Sequence, residues 1–139
     1  MPFPVLHRGV VFSAEHDNTY TFWHDDDPQK KYCLVFNAEP LSDDGDVHYF
    51  LATSNVSRYR ESPSLLSDVL ILPLGSYEFF DRETVLDFRE LCIVPLAKLM
   101  TKKMVKVGCI SAVDVARCAD VAAMARILDT RDKKLLKLR

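Results

Sequence analysis

Two lysines, Lys30 and Lys31, stand directly before an apolar run, Tyr32-Cys33-Leu34-Val35-Phe36. Adjacent cations at the mouth of a buried strand suit a phosphate; the same cations can instead pair with the carboxylates of Asp25, Asp26 and Asp27 just upstream. Tyr20, Phe22 and Trp23 lie in the same region and read either as a platform on which bases stack or as part of the core. The four histidines, His7, His16, His24 and His48, lack the i,i+4 spacing of a helical zinc pair. His16, His24 and Asp25 could meet only around a hairpin, and surface histidine is the simpler reading. Asp43-Asp44-Gly45-Asp46 has calcium-like ligands but neither the twelve-residue frame nor its closing Glu. Ser54 and Ser57 have no local triad context, and no phosphate loop, dinucleotide fingerprint or nucleophile elbow occurs. The four cysteines, Cys33, Cys92, Cys109 and Cys118, form no CxxC pair, and each lies in an apolar or amphipathic stretch. They read as buried free thiols.

The elements that must hold these groups are mostly short strands. Leu6 to Ser13, Tyr32 to Phe36, Val47 to Thr53, Asp68 to Leu74 and Met104 to Ile110 read as strands, and Thr19 to Trp23 as a hairpin arm within a polar stretch over 14–30. Ser42 to Asp46 is a turn. Residues 55–66 are polar, with Ser62-Pro63-Ser64 expected to break regular structure. Residues 76–91 suit strand or helix equally; Cys92-Ile93-Val94 is a strand stopped by Pro95, and one helical turn follows to Met100. The clearest helix opens at Ser111, whose hydroxyl can cap it, with Asp114 in its first turn. Val113, Ala116, Val121, Met124, Ile127 and Leu128 form its expected apolar face, ending near Leu128. Residues 129–139 read as a basic extension. The pattern predicts one small, mainly β (α+β) barrel domain with a C-terminal α-helix.

Composition bounds the function. The 139 residues suit one domain, with 48% hydrophobic and 27% charged residues, near the globular average. No apolar run approaches the roughly 18 residues of a membrane span. Met1-Pro2-Phe3-Pro4 lacks the basic region and apolar core of a signal peptide, so a cytoplasmic location is expected. Net charge is −2, but it is uneven: residues 1–50 carry −6 and residues 101–139 carry +6. The basic third suits phosphate contact, or simply a solvated helix face.

In order along the chain, these segments resemble the MazF/PemK-type toxins of bacterial toxin–antitoxin systems. Arg8-Gly9-Val10-Val11 is similar to the family's opening strand, and Lys31-Tyr32-Cys33-Leu34-Val35-Phe36 to its Arg-Pro-x-Leu-Val strand. Phe50-Leu51-Ala52-Thr53-Ser54 resembles the strand that ends in Thr or Thr-Ser. Thr84-Val85-Leu86-Asp87 stands where the family has a Ser-Val-hydrophobic stretch, and Val105 to Ala123 resembles its closing strand and helix. The resemblance spans about residues 8–128. It implies an SH3-like barrel, usually a homodimer bound by a cognate antitoxin protein. It also implies a metal-independent, cofactor-free endoribonuclease that cleaves single-stranded RNA by attack of the 2′-hydroxyl on the adjacent phosphorus. By position, Lys31 falls on the family's catalytic Arg, Thr53 on its catalytic Thr/Ser, and Ser54 beside it. His24 and Asp27, in the loop before Lys31, are candidates for the acid and base roles. Lys30, Trp23, Arg58 and Arg60 are the candidate RNA contacts.

Lys31 lacks the planar fork of Arg, and Tyr32 replaces the family's Pro. Together with the acidic loop over 14–30, these departures support a second reading: a non-catalytic SH3-like barrel that binds protein through Tyr20 to Trp23 and has lost nuclease activity.

Overall fold

The computed structural model describes residues 6–16, 29–41, 45–54, 56–80, 82–126 and 128–138, with backbone alone at 16 and 29–31. Six strands carry the fold: β1 (Val10–His16), β2 (Gln29–Val35), β3 (Asp46–Thr53), β4 (Val69–Leu72), β5 (Thr84–Pro95) and β6 (Val105–Cys109). Five helices are interspersed: α1 (Val56–Arg60) and α2 (Pro63–Leu66) after β3, α3 (Leu96–Met100) after β5, then α4 (Ala112–Met124) and α5 (Thr130–Leu135). The strands form one antiparallel sheet in the order β4-β5-β3-β2-β1-β6, curled into a half-barrel. No helix among the described residues is long and apolar enough to cross a membrane.

The near-continuous apolar runs of β1, β2 and β3 follow from burial on both faces of the sheet. One face carries Val11, Leu34, Phe36, Phe50, Leu86 and Phe88 against α4 and the C-terminal segment. The other carries Val10, Phe12, Cys33, Val35, Tyr49 and Leu51 inside the curl, closed by Leu6 and by Leu96 and Leu99 of α3. Edge-to-face rings knit the first core, with Phe50 and Phe88 centroids 4.9 Å apart.

β5 explains the curl. It pairs with the start of β3 at Tyr49–Cys92 and with its end at Leu51–Asp87. Between those pairs β3 advances two residues and β5 five. The extra residues bend the strand, as a bulge does. Its first half then carries β4 at one edge, and its second half covers the inner core. A smaller slip lies between Val11 and Phe12, opposite Gly108 and Lys106 of β6.

Several expectations need correction. Ser62-Pro63-Ser64 does interrupt the helix, since α1 stops at Arg60 and Ser62 is extended, but a new helix, α2, starts at Pro63, where a missing N–H costs nothing. The ambiguous residues 76–91 divide into turns and then strand from Thr84, continuous with Cys92 to Val94. The polar stretch is narrower than 14–30, since β1 runs to His16 and β2 starts at Gln29; the expected Thr19 to Trp23 arm lies outside the described residues. Ser111 does cap α4, accepting from the Asp114 amide, but the helix ends at Met124, where Ala125 turns extended (φ −62°, ψ 129°). Its buried face differs in part from the expected one: Val121 packs against the core as expected, but Ala116 is exposed. Cys118 and Ala122 are buried, with Val115 and Ala119 packed beside them, whereas Val113 and Met124 are 70% and 78% exposed. The helix lies close to the sheet. A Cβ on Gly9 (φ +101°) would sit 2.8 Å from Val115 Cγ2. The basic extension is docked: it forms α5, capped by Asp129, and Leu128 and Leu136, just before and just after that helix, are buried. Cys33, Cys92 and Cys118 are buried free thiols, as expected, but Cys109 on the β6 edge is exposed.

Candidate functional site

The site is built where β3 ends. Thr53 is its last residue and half-buried; Ser54 follows, exposed, and its carbonyl accepts from the Val56 amide (2.9 Å) as α1 begins. α1 is too short to be stable alone and must be held by tertiary contacts. Val56 and Tyr59 hold it, packing on Val69 of β4 and Val85 of β5.

Tyr59 adds a polar anchor. Its hydroxyl donates to Asp87 Oδ2 (2.7 Å). Asp87, 3% exposed, also accepts from Arg89 Nη2 (2.7 Å), Arg89 Nε (3.0 Å) and the Arg89 amide (3.0 Å). The Arg89 guanidinium lies 5.4 Å from the centroid of the Tyr59 ring. Burial, reinforced by the Asp87 hydrogen bond, pushes the Tyr59 hydroxyl well above its ordinary value. The Asp87 hydrogen bonds hold Arg89 more firmly charged. This buried pair with a tyrosine donor fixes α1 against β5.

Above that anchor runs a cleft with two lobes. The larger, about 440 Å³, is lined by Ser54, Val56, Ser57, Arg60, Glu61, Arg82 and Glu83. The smaller, about 240 Å³, is lined by Tyr32, Ala52, Thr53, Ser54, Phe80, Arg82 and Thr84. Ser54 and Arg82 border both. Arg60 is ion-paired with Glu83. The Thr84 hydroxyl donates to the Arg82 carbonyl (2.9 Å), which fixes the entry into β5. Tyr32 stands edge-on to Phe80, with centroids 5.7 Å apart at 84°. Five hydroxyls (Thr53, Ser54, Ser57, Thr84 and the Tyr32 phenol), two guanidinium groups and two carboxylates thus line the two lobes, and Tyr32 and Phe80 wall the smaller one. Such a set can grip a phosphate and move a proton.

Of the residues singled out in the sequence, Thr53, Ser54 and Arg60 come together here. Lys31 precedes Tyr32 on β2 and Thr53 follows Ala52 on β3; the Tyr32–Ala52 pair brings both to the same end of that ladder, with Lys30 one residue further. Arg58 is exposed on α1 but lines neither lobe. His24, Trp23 and Asp27 lie outside the described residues, as do Asp43 and Asp44 of the calcium-like turn. Among the described residues no group of three His, Cys, Asp or Glu side chains is placed to hold a metal.

Sequence reasoning missed Arg82, Tyr32, Phe80, Thr84 and the Tyr59–Asp87–Arg89 anchor. One signal was available. Asp87 and Arg89 are two apart in a strand and so share a face, while Leu86 and Phe88 between and beside them face the core. Arg82 carried no such signal, because only the folding of the β4–β5 connection brings it to Ser54. The chain matches no protein-family model and no curated protein.

Proposed function

We propose that this chain is a MazF/PemK-type endoribonuclease, an SH3-like barrel that cleaves single-stranded RNA without a metal. The observation that carries the reading is the convergence of Thr53 and Ser54 on an arginine-lined cleft at the end of the β2–β3 ladder that also bears Lys31. In this reading the RNA 2′-oxygen attacks the adjacent phosphorus and the bond to the 5′-oxygen breaks. The products are a 2′,3′-cyclic phosphate and a 5′-hydroxyl. The 2′-hydroxyl proton passes to a base and the leaving 5′-oxygen takes up a proton, so no water or oxidant is consumed. Cations and hydroxyl donors stabilise the charge gathering on the phosphorane oxygens. Glu61 and Glu83 are the carboxylates lining the larger lobe, and His24 is the imidazole that the sequence offers. A homodimer held by an antitoxin in the cytoplasm belongs to the same reading.

The test is incubation of pure protein with long single-stranded RNA in EDTA, with analysis of the ends. Wild type should leave cyclic phosphate and 5′-hydroxyl ends. Lys31→Ala and Thr53→Val should each lose about 100-fold or more in rate, the scale of one lost transition-state donor. Intact RNA after long incubation with wild type would overturn the reading and favour the non-catalytic barrel. Equal cleavage by all three proteins would remove Lys31 and Thr53 from the site.

A further inference from the structure

We propose that Arg82 is the residue that grips the phosphate in this cleft, supplying the planar guanidinium fork that Lys31 cannot; the proposal rests on the nuclease reading above. Three observations point to Arg82. It borders both lobes, so a phosphate held there bridges the Thr53–Ser54 hydroxyls and the aromatic wall formed by Tyr32 and Phe80. It is uncommitted: Arg60 is paired with Glu83, whereas the exposed Arg82 side chain has no ion pair or hydrogen bond among the described residues. Its backbone is fixed, because its carbonyl accepts from Thr84, whose side chain is buried at the head of β5. A fixed root with an exposed guanidinium suits bidentate recognition of a phosphate, and a lysine gives only a point charge. The half-buried Tyr32 ring in the smaller lobe then receives the adjoining base, since stacking accepts any base face.

The experiment pairs cleavage with binding, using wild type, Arg82→Gln, Arg82→Lys and, as a control, Lys106→Gln on the exposed β6 edge. Cleavage is read on single-stranded RNA. Binding is read on a mixed-sequence 2′-O-methyl RNA oligomer, which lacks the attacking hydroxyl, across a salt series. Arg82→Gln should lose about 100-fold in kcat/KM, Arg82→Lys should recover only part of that, and Lys106→Gln should match wild type. The slope of log affinity against log salt should fall by about 0.7 in Arg82→Gln, the value of one lost phosphate contact on a single strand. A purely structural role would leave that slope unchanged. An active wild type with an equally active Arg82→Gln overturns the proposal and leaves the nuclease reading standing. A wild type that binds the oligomer without cleaving RNA, and whose slope drops on Arg82→Gln, overturns the nuclease reading and retains Arg82 as a phosphate ligand. Neither binding nor cleavage by wild type removes both.

Discussion

At the scale of single residues, the polar group under the cleft matters more to stability than the residues that line it. Asp87 is 3% exposed and accepts from Tyr59 and Arg89 together. Such a pair costs desolvation to form, but removing one partner leaves a buried charge without compensation. Asp87→Ala should therefore lower the unfolding free energy by about 3–5 kcal/mol. Tyr59→Phe, which deletes one donor and keeps the ring, should cost about 1–2 kcal/mol. Urea denaturation of both variants and of the double variant reads the two values and their coupling. A loss under about 0.5 kcal/mol for Asp87→Ala, the range of an ordinary surface change, would refute the buried anchor. The anchor was half legible in advance: the i,i+2 spacing of Asp87 and Arg89 implies a shared face. That Tyr59 meets them was not legible, because it stands 28 residues away from Asp87.

At the scale of elements, the informative cases are the two C-terminal helices. The capping of α4 was readable because a cap is local: Ser111 and Asp114 lie within one turn. Which face of the helix goes down was not readable from hydrophobicity. Val113 and Met124 are larger and more apolar than Ala122, yet they face out, while Cys118 and Ala122 are buried against the sheet with Val115 and Val121 packed beside them. A separate close approach lies at β6, where a Cβ on Gly108 would sit 2.6 Å from the ring of Phe79 in the β4–β5 connection. The charge of residues 129–139 suggested a basic extension, but Leu136 is fully buried and its carbonyl accepts from Arg8. The Arg8 guanidinium also stands 4.5 Å from the centroid of the Phe36 ring, so the turn before β1 holds both the end of α5 and the residue after β2. Leu136→Ala should cost about 2–4 kcal/mol and Met124→Ala less than about 0.5, both by chemical denaturation. Reversed magnitudes would mean that α5 is undocked and that α4 is turned over.

At the scale of the whole molecule, burial makes three thiols and two phenols harder to ionise. Burial pushes Cys92 and Cys118 up to about 12 from 9.0, with smaller contributions from Glu90 and Asp87 at the first and Asp114 at the second. Burial raises Cys33 as well, and Tyr59 and Tyr77 from 10.0. In the unfolded chain the thiols lose their protons near pH 9, while the folded chain keeps them. The folded state then binds more protons, so stability falls as pH rises through this range. Denaturation midpoints should decline steadily between pH 9 and pH 12, and Cys118→Ala should flatten the decline. A midpoint independent of pH over that range would contradict the burial of these groups.

The amino-acid sequence by itself determined the elements whose cause is local. Apolar β-branched and aromatic runs made β1, β2, β3, β4 and β6, a serine three residues before an aspartate opened α4, and Pro95 closed β5. Neighbouring residues carry those signals, so no partner is needed to read them. Only the tertiary structure decided what depends on partners distant in the chain: the five-against-two bulge that bends β5, the face α4 turns to the sheet, the docking of α5, and the meeting of Arg82 with Thr53 and Ser54. Each is set by sheet register and close packing, where the free energy comes from contacts between segments and not from the propensity of any one of them.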